Sequence, residues 1–220
     1  MRIFIVTLAV TTVAGVALWQ FGLAHRIWPS HPFLATIIIA AGCGLAAQLA
    51  ASQDSATVRF VQEPGFTVVG ISTRTTNAVE MSGRGVIGKQ WARFKKDGLL
   101  ATIPNRVDSS ILALYTDYES DHSGAYTFIL GAKVSSAENV PPGMVSKEVP
   151  AGKYAVFTSA RGPAAKVVPE AWQHINSLPK SAPGGDRTYR ADFEVYGKRA
   201  VDPQHAEVEI YIGIRKEPLP

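Results

Sequence analysis

Two stretches of this chain, about eighty residues apart, repeat the same helical spacing of large apolar residues. Each has apolar residues at positions i, i+4 and i+7, which are Ile87, Trp91 and Phe94 in the first stretch and Val168, Trp172 and Ile175 in the second. Residues at this spacing lie on one face of an α-helix. A pattern that recurs at a fixed offset indicates a duplicated unit, and units this small must pack together to bury a core.

Predicted strands surround each helix in the same order, one before it and two after it. The strands are Phe66–Arg74, Ile111–Tyr118 and Tyr126–Val134 in the first copy, and Lys153–Arg161, Arg190–Tyr196 and Val208–Ile214 in the second. Turn residues separate the strands, which favours antiparallel pairing. We therefore predict an α+β fold, in which two strand–helix–strand–strand units form an antiparallel sheet with two helices and a central cleft. This domain is expected to span residues 58–218.

The strand that ends at Tyr196 alternates strictly between two kinds of side chain. One face is expected to carry Ala191, Phe193 and Val195, and the other Asp192, Glu194 and Tyr196. The strand Val208–Ile214 alternates in the same sense, so the pair predicts one aliphatic face and one face on which Glu194 and Glu209 lie among tyrosines. Asp192 and Glu209 are nearer the strand ends and are expected to be solvated.

Glu194 occupies the place in the second copy that Tyr115 occupies in the first. A carboxylate and a phenol at equivalent places predict a cleft on the pseudo-twofold axis. Burial among apolar groups raises the pKa of a carboxyl, and a bound organic cation reverses this effect. Aromatic faces add about 0.5–2 kcal/mol for each cation–π contact. The candidate ligand-binding residues are Glu194, Tyr115, Tyr211, Tyr196, Trp91 and Trp172.

Two alternatives to this site stay open at the level of sequence. Glu194 could instead form an ion pair with Arg190 or Lys133 on a neighbouring strand. Trp91 and Trp172 lie on apolar helix faces, so they are expected either to belong to the core or to border the cleft.

The first fifty residues have a different character from the rest of the chain. Ile3–Phe21 and Phe33–Ala51 are uncharged runs of about nineteen residues, and each is long enough to cross about 30 Å of hydrocarbon as a helix. We predict a two-helix membrane anchor at residues 1–52 and a linker at 53–57. Arg2 precedes the first span and Arg59 follows the second, whereas the loop between the spans contains only Arg26. The positive-inside rule therefore predicts an inner-membrane protein with both ends in the cytoplasm. A cleaved signal peptide and a buried soluble hairpin remain alternatives.

Charge and motif content argue against several function classes. The net charge is +4, but Lys and Arg are scattered, so nucleic-acid binding is not expected. The single cysteine, Cys43, excludes an intramolecular disulfide, and the five histidines share no ligand spacing, so no metal is expected. The glycines of residues 83–88 match a dinucleotide pattern outside its required strand–turn–helix setting. They predict a turn into the first helix, and no cofactor is expected.

Seven motifs, in the correct order, resemble the GyrI-like small-molecule-binding family, also called AraC-type effector-binding domains. They are Val69–Ile71, Met81–Gly83, Ile103–Arg106, Tyr115–Ser120, Val149–Tyr154, Asp192–Tyr196 and Glu207–Ile212. The resemblance covers roughly residues 59–216 and implies a duplicated fold with a central pocket for lipophilic, often cationic, molecules. It also implies that Glu194 is the pocket acid. Members often carry a DNA-binding helix-turn-helix, whose place is taken here by the apolar hairpin.

Two function classes follow from these features. The first is a membrane-tethered sensor or sequestering module that binds a small amphipathic molecule. The second is a hydrolase of cyclopropane-bearing electrophilic small molecules, because some members of the resembled family catalyse that reaction. There Glu194, with Tyr115 or Tyr211 as a phenol donor, would direct water onto the ring. The sequence does not decide whether the chain is an enzyme, and it leaves protein partners unknown.

The membrane hairpin gives a testable prediction about topology. Alkaline phosphatase fused after Pro220 should be inactive, because the positive-inside rule keeps the folded domain in the cytoplasm. A fusion active only in the periplasm would reject this orientation. A mature protein that begins after Ala50 would reject the anchor itself.

Overall fold

Eight strands form one antiparallel sheet in the computed structural model, which describes residues 58–179 and 184–215. In chain order the strands are β1 Arg59–Glu63, β2 Phe66–Thr76, β3 Ile111–Thr116, β4 Ala125–Val134, β5 Val145–Val149, β6 Gly152–Thr158, β7 Asp186–Tyr196 and β8 Glu209–Arg215. The helices of this part of the chain are α1 Asn77–Val79, α2 Ile87–Lys96, α3 Leu99–Thr102 and α4 Ala164–Ser177. A π-helical turn at Glu80–Arg84 precedes α2, and a 3-10 turn at Lys198–Ala200 follows β7.

The strand order reflects the duplication. It runs β1-β6-β8-β7-β3-β4-β2-β5, and exchanging β1–β4 with β5–β8 simply reverses it. Two copies related by an approximate twofold axis between β3 and β7 would give this order. The antiparallel α+β prediction is confirmed, but each copy has an additional first strand that pairs with the other copy, β1 with β6 and β5 with β2. Both additional strands lie at the sheet edges and expose most side chains, so they lack the alternation that marks a half-buried strand.

Each long helix packs on the outer strands of its own half of the sheet. The apolar face of α2 packs through Phe94 against side chains of β2 and β4. The face of α4 packs through Ile175 against β6 and β8. The helical spacing that predicted both elements is therefore confirmed. Because neither helix lies over the central strands β3 and β7, a cavity remains between the helices on this side, which we call the helix face.

The opposite side of the sheet, the back face, is buried by side chains of the strands themselves. Phe193 of β7 is 3% exposed and packs edge-on against Phe66 of β2, with ring centroids 5.3 Å apart. Ala191, Phe193 and Val195 all belong to this core, as the alternation in β7 predicts. Their neighbours Glu194 and Tyr196 consequently point to the helix face.

No helix among the residues that the structure describes is long and apolar enough to cross a bilayer. The anchor predicted at residues 1–52 and the linker predicted at 53–57 lie outside the described residues. Membrane anchoring therefore stays a prediction.

A pair of facing glycines gives a stability prediction. Gly70 of β2 pairs directly with Gly131 of β4, and a Cβ added at Gly131 would lie 2.0 Å from the carbonyl oxygen of Val69. That contact is with backbone, so it cannot relax by a rotamer change. Gly131→Ala should lower the free energy of unfolding by about 1–3 kcal/mol or more, measured by circular dichroism in urea.

Gly88→Ala is the matched control, because Gly88 lies in α2 and a Cβ there would meet no heavy atom within 4 Å. It should be neutral or stabilise by about 0.5–1 kcal/mol. Equal effects of the two alanines would contradict the close approach of β2 and β4.

Candidate functional site

A cavity of about 820 Å³ lies on the helix face between α2 and α4. Six aromatic side chains dominate its wall, namely Trp91, Tyr115, Tyr118, Tyr126, Trp172 and Tyr196. Five of them come from α2, α4, β3, β4 and β7, and Tyr118 lies just beyond the end of β3. The structure thus places five of the six predicted site residues at one cavity, Glu194 with Tyr115, Tyr196, Trp91 and Trp172.

Glu194 of β7 is the acidic centre of this cavity. Its side chain is nearly fully buried, with the residue 1% exposed. Its Oε1 accepts hydrogen bonds from the Tyr115 hydroxyl at 2.7 Å and from the Trp172 indole N–H at 2.6 Å. Its Oε2 accepts a third from the Tyr196 hydroxyl at 2.7 Å. The three donors come from β3, α4 and β7, so the carboxylate connects both halves of the duplicated fold.

All three donors to Glu194 are uncharged groups, and among the described residues no ion pair involves its carboxylate. The alternative of an ion pair with Lys133 is wrong, because the Lys133 ammonium lies 4.5 Å from the centre of the Phe66 ring. The alternative with Arg190 is also wrong, because that side chain is exposed and lines a different pocket.

Burial raises the pKa of Glu194, and the hydrogen bonds from Trp172, Tyr196 and Tyr115 offset part of this effect. Burial and the nearby carboxylate raise the pKa values of Tyr115 and Tyr196 well above the usual range of a phenol. Both hydroxyls therefore stay protonated and act as donors. The site presents a buried carboxyl group whose charge is stabilised only by neutral dipoles.

The aromatic rings next to Glu194 form two edge-to-face pairs. Tyr115 packs against Trp172 with centroids 4.9 Å apart, and Trp91 packs against Tyr196 with centroids 4.6 Å apart. Each pair joins one helix to one central strand. Both tryptophans are half-buried, and they pack against the core on one side and border the cavity on the other, so both expectations for them are met.

Tyr211 lies on the other side of the sheet, and its predicted place in the site is wrong. It pairs with Phe193 rather than with Glu194, and its ring stacks on Phe193 with centroids 4.5 Å apart. Residues directly opposite in an antiparallel pair share a face, so Tyr211 belongs to the back face. Glu209 pairs with Val195 and lies on that face too, where Arg59 forms an ion pair with it at 2.9 Å.

Asp192 is buried and ion-paired, so the prediction that it is solvated is wrong. Its side chain is 0% exposed and forms an ion pair with Arg187 at 2.7 Å. The pairing of β7 with β8 shifts between Arg187 and Asp192, and this irregularity brings the two residues together. Such a bulge leaves no signal in the alternation pattern, so Arg187 could not be predicted as a cavity residue from the sequence.

Tyr118 and Tyr126 are two further aromatic residues of the cavity that sequence reasoning missed. Tyr126 belongs to the alternating series of β4 that packs under α2, so the period of that strand could have placed it on the helix face. Tyr118 lies beyond the end of β3, and Asp117 before it has a positive φ of 51°. That turn breaks the strand period and brings Tyr118 to the cavity.

Comparison with known proteins now decides the family. Residues 59–214 match the family model described as Cass2, integron-associated effector binding protein. The chain belongs to the Cass2 family. The protein YobU of Bacillus subtilis, which has a provisional description as a transcriptional regulator, is 38% identical over 148 residues. That match covers 67% of this chain and 91% of YobU.

Solved structures of similar proteins share the Cass2 fold. An integron cassette protein from the mobile metagenome of Vibrio cholerae is 32% identical, with a TM-score of 0.57, over 72% of this chain and 95% of that protein. The protein SAV2435, solved with bound tetraphenylphosphonium, is 18% identical, with a TM-score of 0.59, over 72% and 94% of the respective chains. This second likeness extends to the fold alone.

The raised pKa of Glu194 predicts a pH-dependent stability difference. A carboxyl whose pKa is higher in the folded than in the unfolded state favours folding below the unfolded pKa, about 4.3 for Glu, and this contribution is lost as pH rises through the folded pKa. The free energy of unfolding of wild type minus that of Glu194→Gln should therefore fall between pH 4 and pH 7, as measured by urea titration. A difference that is constant over this range would mean that the Glu194 pKa is not raised.

Proposed function

We propose that this chain binds lipophilic organic cations in the cavity between α2 and α4, with Glu194 as the counter-charge. One observation carries the proposal. Glu194 is 1% exposed and accepts three neutral hydrogen bonds, yet it has no cationic partner among the described residues. Burying a carboxylate without a counter-charge is unfavourable, and a cationic ligand is the partner that would make it favourable.

The wall of the cavity suits the apolar part of such a ligand. A volume of about 820 Å³ lies in the range of small-molecule sites, roughly 300–1,000 Å³. Aromatic rings in the wall provide cation–π contacts of about 0.5–2 kcal/mol each as well as apolar surface. The solved relative that holds tetraphenylphosphonium shares this fold, which supports a bulky lipophilic cation as the ligand class.

We further infer that residues 1–52 tether the domain to the inner membrane on its cytoplasmic side. The two uncharged runs of about nineteen residues support this tether. Lipophilic cations concentrate at bilayers, so a tethered domain would meet its ligands where their concentration is highest. The protein would then act as a sensor or a sequestering module.

A matched pair of ligands tests the role of the charge. Methyltriphenylphosphonium is a cation, and triphenylphosphine oxide is a neutral molecule of similar shape. Wild type should bind the cation more tightly, and Glu194→Gln should weaken cation binding at least tenfold, which is about 1.4 kcal/mol, while binding of the oxide changes little. Titration calorimetry on the purified full chain measures both ligands.

Tyr115→Phe is the control for this experiment, because it removes one hydrogen bond to Glu194 and keeps the ring. Its effect on cation binding should be smaller than that of Glu194→Gln. Equal losses for the cation and the oxide in Glu194→Gln would show that shape, not charge, was disturbed. Turnover of a cyclopropane-bearing compound by wild type but not by Glu194→Gln would favour the hydrolase hypothesis instead.

A further inference from the structure

A second acidic centre, Asp192, lies behind the cavity wall and is already paired with a cation of the protein itself, Arg187, which lines the cavity. The guanidinium of Arg187 donates to Asp192 Oδ2 from Nε at 3.1 Å and from Nη2 at 2.7 Å. Its Nη1 donates to the Asn176 side-chain oxygen at 2.8 Å. Asp192 Oδ2 also accepts from the Tyr118 hydroxyl at 2.8 Å. All three nitrogens of the Arg187 guanidinium therefore donate hydrogen bonds to side-chain oxygens.

Aromatic rings complete the surroundings of this guanidinium. Its central carbon lies 4.6 Å from the ring centre of Tyr189, 5.5 Å from that of Trp172 and 6.0 Å from that of Tyr118. A carboxylate together with several aromatic faces is the arrangement that binds organic cations in proteins. We call this group, made of Asp192, Asn176, Tyr118, Tyr189 and Trp172, the Arg187 cage.

The bulge in β7 is what delivers Arg187 to this cage. Regular pairing with β8 stops after Arg187 and resumes at Asp192, and Tyr189 between them has a positive φ of 51°. The chain therefore folds back, and Arg187 reaches a carboxylate five residues further along. On Asp192, the remaining oxygen Oδ1 accepts from the backbone N–H of Gly213 at 2.9 Å, which fixes the acceptor in place.

The Arg187 cage adjoins the Glu194 site directly. Trp172 belongs to both, because its indole N–H donates to Glu194 while its ring faces Arg187. Asp192 and Glu194 are two positions apart on one strand, so their side chains leave the same face about 7 Å apart. Two similar acidic sites thus lie side by side, one with an internal cation and one with none.

We propose that Arg187 is a tethered cation that fills a second cation subsite and thereby makes the cavity selective for monocations over dications. This inference rests on the proposed function of the Glu194 site. With Arg187 in its cage, Glu194 is the fully buried carboxylate left to face a ligand charge, whereas Glu80 in the cavity wall is only half-buried and accepts from the backbone N–H groups of Val86 and Ile87. A second ligand charge would meet the Arg187 guanidinium at close range. With Arg187 replaced, Asp192 would become available as a second counter-charge.

Displacement of Arg187 by a ligand is unfavourable, which keeps the selectivity in place. The Arg187 side chain is 11% exposed and that of Asp192 is 0% exposed, so a separated guanidinium would leave a buried carboxylate without its partner. Repulsion between two like charges at such separations in a partly buried site exceeds a tenfold effect on affinity. The wild-type cavity should therefore distinguish ligands by charge number as well as by shape.

Trimethylphenylammonium and 1,4-bis(trimethylammonio)benzene are the probes that test this selectivity. They share one benzene ring and differ by one ammonium group. Titration calorimetry on the full chain should give wild type a preference for the monocation of at least about tenfold in Kd. Arg187→Gln should reduce this preference at least about tenfold, through tighter binding of the dication.

Three further variants keep the test decisive if Arg187→Gln folds poorly, namely Arg187→Lys, Arg187→Leu and the double variant Arg187→Gln/Asp192→Asn. Arg187→Lys retains the positive charge and should retain the monocation preference. The double variant Arg187→Gln/Asp192→Asn removes both charges, leaves no unpaired carboxylate, and should not gain affinity for the dication. Arg187→Gln and Arg187→Leu both lack the guanidinium and keep Asp192. The inference would be overturned if both variants retained the wild-type preference for the monocation. The inference would also be overturned if the double variant gained as much affinity for the dication as Arg187→Gln does.

The outcomes separate this inference from the proposed function. If wild type binds neither ammonium probe nor methyltriphenylphosphonium, the proposed function itself fails. If wild type binds the monocations through Glu194 but binds the dication equally well, only the role of Arg187 fails.

Discussion

The antiparallel pairing of β3 with β7 places Glu194 opposite Ala113 and Asp192 opposite Tyr115. A small side chain opposite Glu194 leaves space above the sheet, and the diagonal neighbour Tyr115 can reach the carboxylate with its hydroxyl. The long helices α2 and α4 pack on the outer strands and leave this central region uncovered. The register of two strands thus determines where the cavity lies, which acid lies at its floor and which groups can hydrogen-bond to that acid.

A carboxylate in this position lowers stability when the cavity is empty. Three neutral donors reduce the unfavourable desolvation of Glu194 without supplying a positive charge, and burial still dominates in raising its pKa. Asp192, two residues away, shows the alternative solution, since Arg187 compensates its charge within the protein. The contrast between these acids in one environment is the physical reason to read Glu194 as a site for an external cation and Asp192 as part of the scaffold.

The features that depend only on the period of apolar residues along a helix or strand were predicted correctly from the sequence. The features that depend on the register between strands or on a backbone irregularity were not. The spacing of Trp91 and Trp172 predicted both helices, and the alternation through Phe193 and Glu194 predicted the two faces of β7. The period of β8 was also correct, but the face to which Tyr211 belongs depends on its register against β7, which alternation does not specify. Arg187 reaches the cavity because the pairing of β7 with β8 is irregular at a bulge. No local sequence pattern indicates such a bulge, so the position of Arg187 could not be predicted.

Duplication explains how a single charge comes to lie at the centre of the fold. Leu114 pairs with Phe193, and Tyr115 and Glu194 each follow one member of that pair, so a twofold axis through the pair would exchange them. Two identical copies would place two carboxylates or two phenols there. Two carboxylates would repel, and two phenols would offer no charge. Divergence of the copies into one acceptor and one donor gives a hydrogen bond of 2.7 Å across the axis and leaves a single carboxylate, that of Glu194, at the axis. The asymmetry between the copies, rather than the symmetry of the fold, is therefore what makes this cavity suited to a cation.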